Sequence, residues 1–436
     1  MKSMRSIIPT LFDFFPAGRS IPVEYRRNFF HLYLDVTWWG VLVGSTMAFI
    51  AVYAARLGAS GTQIGLINAA PAIMTLIFAL PAGDWLSRRS LHKSLFWVAV
   101  VNRLFYLALV PLPWLFNAPS QIWAIIAISL VMNLPGAVFA VGFTAFYGDS
   151  VPSAYRAHVT GVRNAGVSIF TTATSLICGR LLTDLPFPVG YQIVFGLGFF
   201  GAAMSCVHLR FVRPILDPTE PVRPDVKQGQ AGLNLDIIRG PYGRVVLLLT
   251  FFHFAQYIAI PVFTLYQVNI LKFTDQVIAL GGAIFYVATF LGSLQLEKIT
   301  RRLGNHRVTG IGVMMLGAYP LLLSFSYYLP VYIVASLVGG TAWALAGGAL
   351  YNYLLEHVPA NRRPAYLAWY NLGLNAAILA GSLIGPELTV LTGFVPALIL
   401  FAILRVSAGA AIFKWGGVRD DFSTQPQLTQ RVDGIE

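Results

Sequence analysis

The sequence predicts an all-α membrane protein of twelve transmembrane helices, built as two six-helix pseudo-repeats. Three observations carry this. Of 436 residues, 56% are hydrophobic and 11% charged, a balance that would leave a water-soluble domain with more exposed apolar surface than water tolerates. The apolar residues come in runs of roughly 20, the length at which a helix crosses about 30 Å of hydrocarbon, rather than in the alternating segments of about 10 residues that build a barrel. Finally, one polar stretch occurs twice. Asp149-Ser150-Val151-Pro152, Arg156, Asn164 and Gly166 are answered 207 residues later by Glu356-His357-Val358-Pro359, Arg363, Asn371 and Gly373, and Ser175-Leu176-Ile177 is answered by Ser382-Leu383-Ile384. Two copies of one fold are implied.

In chain order, residues 1–29 carry Lys2 and Arg5 but no long apolar core and no small-residue cleavage pattern, and read as a cytoplasmic lead-in. Helices 1 to 6 are expected over residues 30–55, 62–85, 94–115, 121–148, 160–183 and 189–210, within an N-terminal half of 30–212. Residues 213–241 form a linker in which Pro214, Pro218, Pro221 and Pro224 interleave with Asp217, Glu220, Arg223, Asp225 and Lys227. That composition cannot bury apolar area. Helices 7 to 12 are expected over 243–270, 277–298, 307–326, 331–355, 366–390 and 394–415, within a C-terminal half of 242–416, followed by a cytoplasmic tail of 417–436.

Lys and Arg orient the bundle. Of 30 such residues, 25 fall in segments that an even number of crossings places on one side together with both termini. Arg56, Arg180 and Lys272 fall on the other side, and Arg103 and Arg405 lie inside helices 3 and 12. This positive-inside pattern expects both termini in the cytoplasm and the bundle in the cell membrane. The net charge of +12 is thereby explained by topology and by anionic headgroups, and calls for no nucleic-acid partner. Cys178 and Cys206 sit within helices 5 and 6 and support neither a disulfide framework nor a metal cluster. The chain has no P-loop, no H-E-x-x-H and no G-x-S-x-G, so no catalytic residue, cofactor or metal is expected. Gly196-Leu197-Gly198-Phe199-Phe200-Gly201 spells a dinucleotide fingerprint, but inside helix 6 its glycines read as close helix packing.

A second pair of echoes lies in the turns after helices 2 and 8. Gly83-Asp84-Trp85-Leu86-Ser87-Arg88-Arg89-Ser90 is matched by Glu297-Lys298-Ile299-Thr300-Arg301-Arg302-Leu303-Gly304, and Gln63-Ile64-Gly65 leads into helix 2 much as Gln276-Val277-Ile278 leads into helix 8. With its 6 + 6 helices, charged linker and basic helix 2–3 turn, the whole chain resembles the major facilitator superfamily of secondary transporters. In that family the turn reads G-x-L-A-D-R-x-G-R-R. Here Gly83 and Arg88 match, Ser87 stands at the acid, and Asp84 one turn earlier is the available substitute. In the second copy Arg302 and Gly304 match, while Glu297 and Arg301 depart from the pattern. The family's antiporter signature is absent from helix 5.

The resemblance implies transport of a small solute by alternating access, with the proton as candidate coupling ion, efflux as one direction, and uptake or uniport on the same fold as the alternative. A receptor or scaffold of this fold is the reading from another class. The oligomeric state is open, a monomer sufficing. A cytoplasmic gate is expected from the repeated acids and arginines: Asp84, Arg88, Asp149, Arg156, Asn164, Arg302, Glu356, Arg363 and Asn371, with simple helix capping as the alternative role. By the resemblance, helices 1, 4, 7 and 10 line the solute path. Their polar residues Asp35, Asn133, His253, Gln256, Tyr257, Trp343 and Asn352 are the candidates, and His253 is the one that titrates near neutral pH. Arg103 and Arg405 are expected to be structural charges that face the interior, with Asp35 the candidate partner of Arg103 and an anion site at one of the two as the alternative.

Overall fold

The computed structural model describes residues 21–215, 235–359 and 362–417. Most of the expected linker (216–234), residues 1–20 and residues 418–436 lie outside them. Among the described residues there is no strand. The helices are helix 1 (Val23–Arg56), 2 (Gly61–Ser87), 3 (Leu91–Leu107), 4 (Ala118–Ser150), 5 (Arg156–Asp184), 6 (Val189–Leu209), 7 (Pro241–Ile270), 8 (Asp275–Leu303), 9 (Asn305–Ser324), 10 (Leu329–Glu356), 11 (Arg363–Thr392) and 12 (Phe394–Trp415).

Eleven of these are long and apolar enough to cross a membrane. Helix 3 is the shortest of the N-terminal half at 17 residues, about 25 Å at 1.5 Å per residue. It stops at Leu107 rather than at 115 because Pro111 has no N–H to offer the Leu107 carbonyl and its ring crowds that turn. Helix 1, by contrast, starts seven residues earlier than expected, since its polar first turns find partners. Arg26 Nε donates to the Ile21 carbonyl at 2.9 Å. Asn28 donates to the Arg213 carbonyl at 2.6 Å and accepts from the Arg213 N–H at 3.2 Å, tying helix 1 to the segment that leaves helix 6.

The two halves use one packing plan. Helix 1 packs on helices 5 and 6, helix 2 on 4, and helix 3 on 4 and 6; likewise helix 7 packs on 11 and 12, helix 8 on 10, and helix 9 on 10 and 12. The glycines of the dinucleotide-like run are packing positions: Gly198 lies against Thr46 and Gly201 against Val41 of helix 1. The halves meet where helix 2 runs along helix 11 and helix 5 along helix 8.

The linker end of the bundle carries the helix 2–3, 4–5, 8–9 and 10–11 turns, and the far end carries the helix 1–2 and 7–8 turns. The close approaches between halves lie at the far end. Gly65 leaves no room for a Cβ against the Ser382 carbonyl, and Gly179 none against Ala279. An apolar cluster joins Tyr53, Ile64 and Tyr191 of one half to Leu265, Val268 and Ala279 of the other.

Helices 1 and 7 depart from α geometry at their far-end portions, with π turns over Val43–Met47 and Tyr266–Ile270. Such turns free backbone groups and recur at functional sites. Helix 7 also breaks between Tyr257 and Ile260, and helix 9 breaks at Gly317, ahead of Pro320. Arg405 of helix 12, 1% exposed, closes both gaps. Its guanidinium donates to the carbonyls of Ala255, Gln256 and Leu316 at 3.2, 3.1 and 3.2 Å. The Leu316 carbonyl would ordinarily take the N–H of residue 320, which proline lacks. Phe263 covers the guanidinium face at 5.2 Å.

Candidate functional site

A cavity of about 580 Å³ opens among helices 1 to 5 of the N-terminal half, lined by Asp35, Trp39, Asn102, Arg103, Asn133 and Arg163 among others. Counting along the helices at about 1.5 Å per residue, these side chains sit roughly 10 to 25 Å from the linker end, well inside the span. Charged groups at that depth are costly unless they face a partner or a water-filled space. Here one carboxylate serves two guanidiniums. Asp35, 4% exposed, accepts from Ser205 Oγ at 2.6 Å and lies 3.5 Å from Arg163 Nη1. Arg103, also 4% exposed, donates to the same Ser205 hydroxyl at 3.1 Å.

Arg103 is therefore joined to Asp35 through serine, and the direct ionic partner of Asp35 is Arg163, which corrects the expected pairing. Arg163 also donates to the Leu32 carbonyl at 3.0 Å. Aromatic faces hold both cations: Trp39 and Phe139 lie 5.2 and 5.1 Å from the Arg103 guanidinium, and Phe143 lies 5.2 Å from that of Arg163. The side-chain amides of Asn102 and Asn133 donate to the Met132 and Ser129 carbonyls, each at 2.7 Å.

In the other half, His253 Nε2 lies 3.0 Å from the Tyr370 hydroxyl, fastening helix 7 to helix 11. Tyr370 stands 207 residues after Arg163, so the same repeat position ties helix 5 to helix 1 and helix 11 to helix 7. The repeat extends to Thr37 beside Gly166 and Thr250 beside Gly373. Gln256 and Tyr257 sit at the break of helix 7, where the Gln256 carbonyl is taken by Arg405. Trp343 packs at the edge of the C-terminal core. Asn352 is exposed toward the linker end of helix 10. His253 and Asp35 belong to different halves and have separate partners.

Of the residues expected to form a gate, Asp84, Arg88, Asp149, Arg156, Arg302, Glu356 and Arg363 lie at the linker end, and Asn164 and Asn371 sit about two turns into helices 5 and 11. Arg156 donates to the Val151 and Gly148 carbonyls, both at 3.0 Å, capping helix 4. The Asp149 charge acts on His92 at the start of helix 3. Glu356 takes a hydrogen bond from Asn305 at the start of helix 9, at 2.6 Å. The two acids thus act on equivalent helix starts, those of helices 3 and 9. Asp84, Arg88, Asn164, Arg302, Arg363 and Asn371 are exposed.

Polar contacts between the halves gather instead at the far end. Arg56 donates to the Phe273 carbonyl at 2.6 Å and to Asp275 at 3.1 Å, and Asp275 also accepts from the Tyr191 hydroxyl at 2.9 Å. Thr62 donates to Glu387 at 2.5 Å, bridging helices 2 and 11. Sequence reasoning missed these contacts because Arg56 and Asp275 were assigned to short turns between helices and read as topology. It missed Arg163 because that residue was counted with the linker-end charges. Among the described residues, no group of three His, Cys, Asp or Glu could hold a metal ion.

Comparison with known proteins bears on all of this. A family model described as the Major Facilitator Superfamily matches residues 39–252 and 245–431. No curated protein matches the chain by sequence. Among solved structures, the nucleoside transporter NupG is similar at 14% identity and a TM-score of 0.64, over 90% of this chain and 99% of that one. The xylose transporter XylE from E. coli, in a partially occluded inward open conformation, gives 15% identity and a TM-score of 0.67 over 89% and 97%. A bacterial homologue of the iron transporter ferroportin, in an inward-facing state, gives 12% and 0.67 over 90% and 99%. At these identities the likeness concerns the fold alone.

Proposed function

The chain belongs to the Major Facilitator Superfamily, and from that premise we propose that it is a secondary transporter that moves a small solute by alternating access, its halves 30–212 and 242–416 rocking about the central seam. It is a multi-pass, non-enzymatic membrane transporter. The observation that carries the mechanism is the asymmetry of the seam, latched and close-packed at the far end around Gly65, Arg56 and Asp275, with exposed charges at the linker end. With Lys and Arg concentrated in the sequence segments that adjoin the linker end, that end faces the cytoplasm of a cell membrane. The conformation is then inward-facing, like the inward-facing ferroportin homologue and the partially occluded inward open XylE among its structural neighbours.

In this reading the cavity at Asp35 and Asn133 receives the solute from the cytoplasmic side. Closing that side brings the arginines, acids and asparagines of the two 2–3 and 4–5 turn copies toward one another, while the far-end latch opens. Two states of a few kcal/mol separation suffice, since a solute or ion need supply only its differential affinity. His253, which bridges helices 7 and 11 through Tyr370, is the proposed proton-coupling group, and Gln256, Tyr257, Trp343 and Asn352 complete the path on that side. A polar, charged cavity favours transport over a receptor or scaffold role, for which an apolar fill would serve as well.

The test is cysteine accessibility. After Cys178 and Cys206, both buried, are replaced by serine, reporter cysteines go in at Ser382 in the far-end seam and at Asn371 toward the linker end. Asp275→Ala removes the acceptor of both Arg56 and Tyr191. It is expected to raise labelling at position 382 and lower it at 371, each by about tenfold, the equivalent of about 1.4 kcal/mol between states. Unchanged labelling at both positions would leave the latch a static contact and remove the support for alternating access.

A further inference from the structure

We infer that the solute is a small organic monoanion, a carboxylate with an apolar body, and that Arg103 and Arg163 are its recognition pair. The inference deepens the transporter reading and rests on it. Its basis is a charge imbalance. The cavity is lined by two guanidiniums and one carboxylate, so its charged lining sums to one excess positive charge inside an apolar bundle. An unmatched charge at this depth is expensive, and Arg405 shows the arrangement used in this protein when an arginine is purely structural: three backbone carbonyls and an aromatic lid. Arg103 has aromatic faces beside it but none of the carbonyl acceptors. It is 4% exposed, donates one hydrogen bond, to Ser205, and its Nε has no hydrogen-bond partner.

The neighbours define the ligand further. Asn102 and Asn133 each give one amide N–H to a carbonyl, so the arginines are the charged donors available to an anion, and an anionic head between them would cancel the excess charge. Arginine suits this task because its fixed fork of N–H groups matches carboxylate and phosphate geometry. The rest of the lining is apolar or aromatic, with Trp39, Tyr106, Phe139 and Phe143 facing the space, which fits an aliphatic or aromatic body rather than a second charge. A volume of about 580 Å³ accommodates such a molecule and lies within the ordinary range of small-molecule sites.

The experiment is thermal unfolding of the purified full chain in a neutral detergent. Its probes are the monoanions benzoate and butyrate, the neutral isostere benzamide, the cation benzylamine, and micelles doped with phosphatidylglycerol. At least one soluble monoanion should raise Tm in a saturable manner, as a ligand specific for the folded state must, with benzamide and benzylamine inert. Arg103→Gln and Arg163→Gln should each weaken the apparent affinity by at least about tenfold. Arg103→Lys keeps the charge, serves should the glutamine variant fail to fold, and should weaken binding less than the loss of charge does. Saturable shifts from benzamide or benzylamine alone would overturn the anion assignment and leave the transporter reading intact. A shift from phosphatidylglycerol alone would make the cavity a lipid site and overturn it too. Silence from every probe would overturn this assignment, whereas the transporter reading is judged separately by labelling at positions 382 and 371.

Discussion

Arg405→Met is expected to destabilise the protein by about 3 kcal/mol or more, because it leaves three carbonyls without donors in a water-free interior and each unsatisfied group costs about 1 to 3 kcal/mol. The carbonyls belong to Ala255 and Gln256 at the break of helix 7 and to Leu316 at the break of helix 9, so the loss loosens three helices at once. Removing a buried charge returns part of this. The balance still favours loss, since the guanidinium already spreads its charge over three acceptors and the face of Phe263. Arg405→Lys should rescue little, because a compact ammonium on one stem cannot span carbonyls on two helices. The measurement is chemical or thermal unfolding in detergent, followed by tryptophan fluorescence. A methionine variant as stable as the parent would contradict the account of how the broken helices are held.

Asp35→Asn should be comparably damaging, and for an opposite reason. It removes the one carboxylate that Arg163 touches at 3.5 Å and that Arg103 reaches through Ser205, leaving two guanidiniums on a neutral amide. Breaking a buried pair by deleting one member costs about 3 to 5 kcal/mol, as the surviving charge has nowhere to go. Combining Asp35→Asn with Arg163→Gln should recover more than half of that loss, because the excess charge falls back to a single guanidinium. The double-mutant cycle reads this directly, since coupled neighbours deviate from additivity by up to about 3 kcal/mol. Strictly additive losses would mean that the three groups do not share one electrostatic site.

The fold was largely legible in the sequence because membrane helices announce themselves by length and composition, and because the 207-residue echo divides the chain without reference to structure. Where reading failed, the signals depended on three-dimensional partners. Helix 1 could not be started at Val23 without knowing that Asn28 finds Arg213. Arg405 looked like an isolated intramembrane charge. The clue to its role was present in Pro320, which orphans the Leu316 carbonyl, but nothing local says that helix 12 passes beside helix 9. Arg163 could have been found by the repeat alone, since its counterpart is Tyr370 inside helix 11 and not a loop residue. The far-end contacts between the halves had no such signal. Arg56, Tyr191 and Asp275 come from three distant segments and share no motif, so only packing could unite them.

The central claim, that one seam opens as the other closes, is tested most directly by paired spin-label distances at both ends of the same protein. One pair joins positions 164 and 371 toward the linker end, both exposed. The other joins Arg180, whose side chain is 64% exposed, and Val390, 79% exposed, at the far end. Gly65→Phe is the perturbation, because any side chain there must displace the Ser382 carbonyl and wedge the far end apart. The account predicts that the far-end distance lengthens and the linker-end distance shortens together, as one change of population. A far end that opens while the linker end keeps its distance, or two ends that stay as they were, would contradict it.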